Sequence, residues 1–139
     1  MMITEVWQLA LVYEVRKSSV VIDENLPIDK EFDEEYGKTY HYVLIEQNGV
    51  GIATARLNIS NKDYGKIERV AVAKGFKGQG YGRQIIQKAE AELKKLGYHR
   101  IVIKSRQSVV EFYQKLGYVA DENSKEDGFI ATIMVEKEV

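Results

Sequence analysis

The order of apolar and polar positions divides the chain into alternating helices and strands. After a short first strand, Leu9, Val12 and Val15, with Leu11 beside them, recur at helical spacing and predict a helix over roughly 7–20. Residues 23–40 are polar and acidic, hold the single proline, Pro27, and read as loop with one helical turn at most. Two strand-like runs follow, 41–46 and 50–59, joined by the hairpin turn Gln47-Asn48-Gly49. A turn at 61–65 precedes a strand at 66–73, bounded by Gly75. From Gly82 onward, Ile85, Ile86, Ala89, Leu93 and Leu96 mark a long amphipathic helix with Gly97 as its C′ residue. The run Ile101-Val102-Ile103 inside 98–104 predicts a strand covered on both faces. Ser108 and Glu111 stand in capping-box spacing for a second helix that Gly117 ends. Residues 118–120 and 129–135 form a closing hairpin across Glu126-Asp127-Gly128.

Strand, helix and strand in the middle of the chain imply a parallel pair, 67–73 with 100–104, and the flanking hairpins imply antiparallel neighbours. The expected class is mixed α/β: one domain over 1–139, with a central mixed sheet flanked by helices.

Composition narrows the chemistry. With 139 residues and no cysteine, disulfides, thiolate metal sites and a thiol-linked acyl-enzyme are excluded. His41 and His99 are the only histidines and suggest no metal cluster. No apolar run approaches a membrane span, and the first residues lack the pattern of a signal peptide, so a cytoplasmic protein without membrane association is expected. The net charge of −1 averages unlike parts. Residues 1–69 carry −4, and residues 70–115 carry ten basic against three acidic groups, net +7. An acidic front and a basic middle suggest anion binding in the middle.

The basic segment contains Lys77-Gly78-Gln79-Gly80-Tyr81-Gly82-Arg83, between a predicted strand and the longest helix. Closely spaced glycines let backbone amides approach a ligand, and a helix start adds unpaired N–H groups and a positive dipole end. Lys77 and Arg83 flank these donors, so the seven residues form a candidate pyrophosphate site. Other phosphate motifs fail. Gly75 and Gly80 have Walker A spacing, but Tyr81-Gly82 stands where Lys-Ser/Thr is needed. The dinucleotide fingerprint requires glycine where Arg83 stands. No G-x-S-x-G nucleophile elbow is present.

On these residues the sequence resembles the GNAT superfamily of acyl-CoA-dependent N-acyltransferases. The stretch from Lys77 to Gly82 is similar to that family's pyrophosphate loop, Arg/Gln-x-x-Gly-x-Gly/Ala, and follows the strand Ile67-Glu68-Arg69-Val70-Ala71-Val72. A second hallmark, aromatic-Tyr-x-x-x-Gly-aromatic, is matched by Phe112, Tyr113, Gly117 and Tyr118. Weaker likeness at Val15-Arg16, 24–33, His41 and 53–57 is to small bacterial members with undefined substrates. Three departures stand out: Lys77 replaces Arg or Gln, a proline usual a few residues earlier is missing, and Arg106 or Gln107 stands where asparagine is common.

The resemblance implies the acyl-CoA N-acyltransferase fold, with the parallel strands splayed to admit the cofactor arm. It implies acetyl-CoA as cofactor, its pantetheine on the backbone of Val70, Ala71 and Val72 and its diphosphate on Lys77, Gly78, Gln79, Gly80, Tyr81, Gly82 and Arg83. Tyr113 is the implied acid: with a pKa of about 10, its proton is on hand for a departing thiolate. Glu68 is the first candidate base, unless it is solvated or paired with a neighbour such as Arg69, and His41 is the second. Asp29, Glu31, Asp33, Glu34 and Glu35 crowd the stretch that borders the acceptor cleft in this family. Glu31 and Asp33, together with His41, are therefore candidate acceptor residues, and the acids suit a cationic amine if the mouth of the cleft is acidic. The expected reaction is direct attack by a primary amine of a small molecule or peptide, in a ternary complex. The chain offers no nucleic-acid motif, and a homodimer is compatible with its size. The competing reading is a non-catalytic acyl-CoA sensor on the same fold.

Overall fold

A computed structural model describes residues 2–139. Six strands form one sheet in the order β1-β2-β3-β4-β6-β5: β1 (His41–Gln47), β2 (Val50–Asn58), β3 (Gly65–Val72), β4 (Arg100–Arg106), β5 (Val119–Glu126) and β6 (Thr132–Glu138). Only β3 and β4 run parallel; every other neighbouring pair is antiparallel. The helices are α1 (Val6–Arg16), α2 (Ile28–Glu31), α3 (Tyr81–Lys95) and α4 (Val110–Lys115). The mixed α/β class and the central parallel pair are as expected from the sequence.

Alternation along the strands decides which helix covers which face. Val43 of β1 packs with Ile85, Ile86, Ala89 and Leu93 of α3, whereas its neighbours Tyr42 and Leu44 pack with Leu11 and Val12 of α1. The two helices therefore lie on opposite faces of the sheet. Close approach of α1 depends on Gly51 in β2. A Cβ there would lie 2.7 Å from Val15 Cγ2 and 3.0 Å from the carbonyl oxygen of Leu11. Gly51→Ala should therefore lower stability by about 1–3 kcal/mol in a urea titration, the cost of overpacking against backbone.

In β3 the alternation changes phase. Ile67 joins the α3 core, yet so do Val70 and Val72, while Ala71 and Ala73 face Val15 and Val20. An extra residue causes this: β2 and β3 pair Thr54 with Ala71 and Arg56 with Glu68, so Arg69 and Val70 both stand opposite Ala55. Arg69 takes φ 50°, in the left-handed region. This bulge is not visible in the sequence, where 66–73 reads as one regular strand.

Several local expectations are revised. The helix predicted over 7–20 ends as α1 at Arg16 and continues through Lys17–Asp23 in wider π turns. The first strand shrinks to a bridge between Met2 and Val43. Ser108 makes no cap: Gln107–Val109 is a 3₁₀ turn, and α4 starts without a side-chain cap bond. The last hairpin also differs. β5 reaches Glu126, with an irregularity between Asp121 and Glu126. β6 begins at Thr132 rather than 129, and Gln107, just past β4, continues its register with a bond from its backbone N to Ala131 O at 2.9 Å and donates from Nε2 to Thr132 O at 3.0 Å.

Candidate functional site

The parallel pairing of β3 and β4 runs only from Gly65/Ile101 to Ile67/Ile103. Both strands continue beyond it, to Val72 and Arg106. They part there, leaving the β4-facing amides and carbonyls of β3 without a strand partner. A cleft of about 740 Å³ opens in this gap, lined by Glu68, Arg69 and Val70 from one strand and by Ser105 and Arg106 from the other, with Tyr113 among its walls.

The glycine loop lies past the end of β3, between it and α3. Gly78 and Gly80 have φ 76° and 88°, and a Cβ at either would meet nothing within 4 Å. Gly80 is the N-cap of α3 and provides no side-chain bond to the first turn. The amides of Tyr81, Gly82 and Arg83 thus have no partner within the helix, in an open, unobstructed cradle that fits a diphosphate. Gly82 has a second reason: a Cβ there would lie 3.3 Å from Phe112 Cζ. The two sequence hallmarks therefore touch, and the small residue lets the aromatic segment settle against the start of α3. Gln79 folds back to Gly75 O at 3.3 Å, and Arg83 is exposed.

Lys77 is not the free cation its sequence suggests. Its Nζ lies 2.8 Å from Asp23 Oδ2, 3.2 Å from Glu24 Oε2 and 3.3 Å from Ser19 O. Burial would lower its pKa, but the bonds to Asp23 and Glu24 outweigh that and raise it. The other oxygen of Glu24 binds Arg106 at the end of β4. One carboxylate thereby joins a cation beyond β3 to a cation on β4, across the gap. An anion drawn to Lys77 would have to compete with Asp23 and Glu24. Glu24→Gln should strengthen the hold of the loop on an inorganic pyrophosphate probe about twofold to fivefold in low-salt calorimetry, the worth of a partly exposed ion pair.

Tyr113 is buried at 7% exposure and lines the cleft. Its hydroxyl makes no hydrogen bond among the described residues and is not sealed from solvent. Burial pushes its pKa up to about 12, against a smaller downward pull from Arg106.

Glu68 also lines the cleft, but it is fully engaged. Arg56 Nε donates to its Oε2 at 2.9 Å, Asn58 Nδ2 donates to its Oε1 at 3.1 Å, and Lys66 Nζ lies 3.5 Å from Oε1. Burial would raise the pKa, yet the bonds from Asn58 and Arg56 hold it below the usual carboxylate range. Its arginine partner is Arg56 across the sheet, not the adjacent Arg69. This engagement makes Glu68 a weak base. His41, the second candidate, is not among the cleft-lining residues; it lies on β1, which is separated from β3 by β2.

The acidic stretch does not give an acidic mouth. Arg16, wholly buried, donates from Nε to Glu31 Oε2 at 2.7 Å and from Nη2 to Glu31 O at 2.7 Å, and it also binds Glu34. Asp33 receives Arg56 Nη1 at 2.6 Å and Arg69 Nη2 at 2.8 Å. Partial burial would raise the Asp33 pKa, but the two arginines bring it down to about 2. Glu31 and Asp33 line the cleft, but arginines neutralise them. Counting Lys66, Lys104 and Arg106, the walls carry basic as well as acidic groups. The sequence argument for a cationic acceptor falls with that balance.

The arginine network was missed from sequence. Arg16 alone gave a signal, as a charged residue four positions after Val12 on an apolar helical stripe. Val109 and Ile130, which complete an apolar side of the cleft, gave none.

The model of the Acetyltransferase (GNAT) family matches residues 5–118. The chain is 31% identical over 140 residues to BSU40680 of Bacillus subtilis (strain 168), an acetyltransferase by name, covering 98% of this chain and 94% of that one. Its fold matches the crystal structure of a protein named as an N-acetyltransferase from Lactobacillus plantarum, with a TM-score of 0.90 at 22% identity, over 99% of this chain and 95% of that chain. It also matches PaiA N-acetyltransferase from Thermoplasma acidophilum, solved with coenzyme A, with a TM-score of 0.75 at 15% identity, over 100% and 98% of the two chains.

Proposed function

Because the chain belongs to the acetyltransferase (GNAT) family, we propose that it transfers an acetyl group from acetyl-CoA to a primary amine of a small molecule or peptide, by direct attack with both reactants bound. The observation that carries this reading is the alignment of three features along one gap: the glycine cradle, the unpartnered backbone of β3 and the open hydroxyl of Tyr113. When bound, acetyl-CoA supplies the activated thioester. The amides of Gly78 to Arg83 hold its diphosphate, and the backbone of Val70, Ala71 and Val72 holds the pantetheine as an added strand would. A β3 amide facing the gap donates to the carbonyl oxygen as charge grows there. The Tyr113 hydroxyl donates to the departing sulfur.

Deprotonation of the amine is left largely to solvent. Glu68, held below its usual range, attracts an ammonium more readily than it removes a proton. Exposing the lone pair of an amine with a pKa of about 10.4 at pH 7 costs roughly 4–5 kcal/mol, so a cleft without a strong base serves best an amine of low pKa.

Thiol release from acetyl-CoA over a panel of amines tests the proposal, with CoA affinity measured alongside by calorimetry. Transfer to any amine supports it. The engaged state of Glu68 favours one second reading, a non-catalytic acyl-CoA sensor, for which the same pair of measurements gives tight CoA binding with no transfer. Failure to bind CoA overturns both.

A further inference from the structure

The bulge in β3 places an arginine where the backbone favours glycine. At φ 50°, Arg69 occupies a region that residues with a Cβ avoid. Its side chain pays a second cost, because Nε is buried with no hydrogen-bond partner among the described residues. Something must offset both. The hydrogen-bond partner of its guanidinium is Asp33, 36 residues earlier, whose Oδ2 accepts from Arg69 Nη2 at 2.8 Å.

Asp33 is itself fixed firmly. Its Oδ1 accepts from Arg56 Nη1 at 2.6 Å, and Arg56 is only 7% exposed. The residues on either side belong to the cluster around Arg16, which binds Glu31 through side chain and carbonyl and Glu34 through its carboxylate. Glu34 in turn accepts from Tyr42 and lies 3.2 Å from Arg56 Nη1. The chain at 31–34 is thus a rigid mount, and Asp33 is its contact with the bulge.

The bulge decides where the following backbone points. It places two residues opposite Ala55 and reverses the faces of everything after it, so that Val70 and Val72 enter the α3 core and Ala71 turns to α1. It lies just beyond the last β3–β4 pair, where the β4-facing amides look into the cleft.

We propose that Asp33 is a positioning residue: its ion pair with Arg69 holds the β3 bulge and so sets the course of the Val70–Val72 backbone along the gap between β3 and β4. In the cofactor reading above, on which this part rests, the gap-facing groups of that backbone meet the thioester and pantetheine. Asp33, first suggested as an acceptor contact, thereby acts through backbone geometry instead.

The test compares Arg69→Ala with Arg69→Gly, each with and without Asp33→Asn. Glycine adopts the left-handed conformation unaided, whereas alanine needs the support it has lost. In the ligand-free protein, exchange of the Ala71 amide, which faces Thr54 in the β2–β3 pairing, followed by NMR, should speed up about tenfold or more in Asp33→Asn and in Arg69→Ala, with shifted Val70 and Ala71 resonances. It should change less than about twofold between Arg69→Gly and the Arg69→Gly/Asp33→Asn double variant. Calorimetry with acetyl-CoA should follow the same order. Both altered side chains are partly exposed, and thermal melts confirm that each variant folds. Unaltered Val70 and Ala71 amides in Asp33→Asn and Arg69→Ala overturn the proposal. So does an Asp33→Asn effect that persists undiminished in the Arg69→Gly background, which would place its action on Arg56. A wild-type protein that binds no acetyl-CoA overturns the cofactor reading alone, since the amide measurements still judge the bulge.

Discussion

Replacing Tyr113 by phenylalanine is expected to lower the rate of acetyl transfer by about a hundredfold to a thousandfold while changing CoA affinity less than about twofold. The magnitude is that of removing one preorganised donor from charge developing in a water-poor site. Among the described residues the hydroxyl has no hydrogen bond to lose, so the variant should fold and bind cofactor normally. Burial also changes how the residue acts. At about 12, the Tyr113 pKa lies well above the roughly 8.5 of a typical thiol. The proton therefore stays mostly on the phenol, and the gain comes from a hydrogen bond to the sulfur as it becomes anionic. Because its pKa is raised, Tyr113 keeps its proton as pH rises until near 12. With no strong base in the cleft, the rate at subsaturating amine should climb about tenfold per pH unit from 7 towards the pKa of the amine. No fall attributable to Tyr113 should appear below about pH 11. Full activity of the phenylalanine variant across that range would remove Tyr113 from the mechanism.

Arg16→Ala is expected to cost about 3–5 kcal/mol of stability at neutral pH, read by urea denaturation, because it strands the carboxylates of Glu31 and Glu34 without their buried partner. Arg16→Lys should fall between, since an ammonium cannot reproduce a fork that meets Glu31 side chain, Glu31 carbonyl and Glu34 together. Acid sensitivity should change as well. Glu34 and Asp33 have folded pKa values below their ordinary ones, for Asp33 about 2, despite the upward push of burial. Groups of that kind contribute stability that is fully present above the ordinary carboxylate pKa. That stability is lost as pH falls through the lowered value. In the wild type the loss therefore lies between roughly pH 4.5 and 2. Without Arg16 the pKa of Glu34 rises, and the midpoint of acid unfolding should move to higher pH. A variant losing less than about 1 kcal/mol, with the same acid midpoint, would show that the network contributes little.

What could be read from the chain alone was set by local signals. Asn48 and Gly49 turn the first hairpin with φ 52° and 78°, the pair of positive values such a turn demands. The apolar spacing of α3, its glycine cradle and the Phe112–Tyr113 segment each span only a few residues, and each took its expected place. The charge network could not be read in this way. Its bonds join residues 12 to 36 positions apart, and nothing near Arg56 or Arg69 indicates which acids they choose. The five acids at 29–35 are visible in the sequence as charge but not as pairs, so nothing there tells a neutral mount from an acidic mouth. The bulge was hidden for a related reason. Arginine has no special tendency to take positive φ, and its conformation follows from contacts that the strand sequence does not contain.

The irregular β5 has a consequence for how this protein meets its own copies. It is an outer strand of the sheet, and its run Asp121-Glu122-Asn123-Ser124-Lys125-Glu126 is charged and broken in register where it would otherwise offer a straight row of free amides and carbonyls. At the opposite edge, Ile3 N donates to Tyr42 O, so the first residues occupy part of the outer side of β1. Edge-to-edge growth of the sheet, the usual route from a folded α/β domain to aggregates, is hindered at both ends. Straightening β5 with apolar β-formers should therefore favour self-association, even in a chain whose core is untouched.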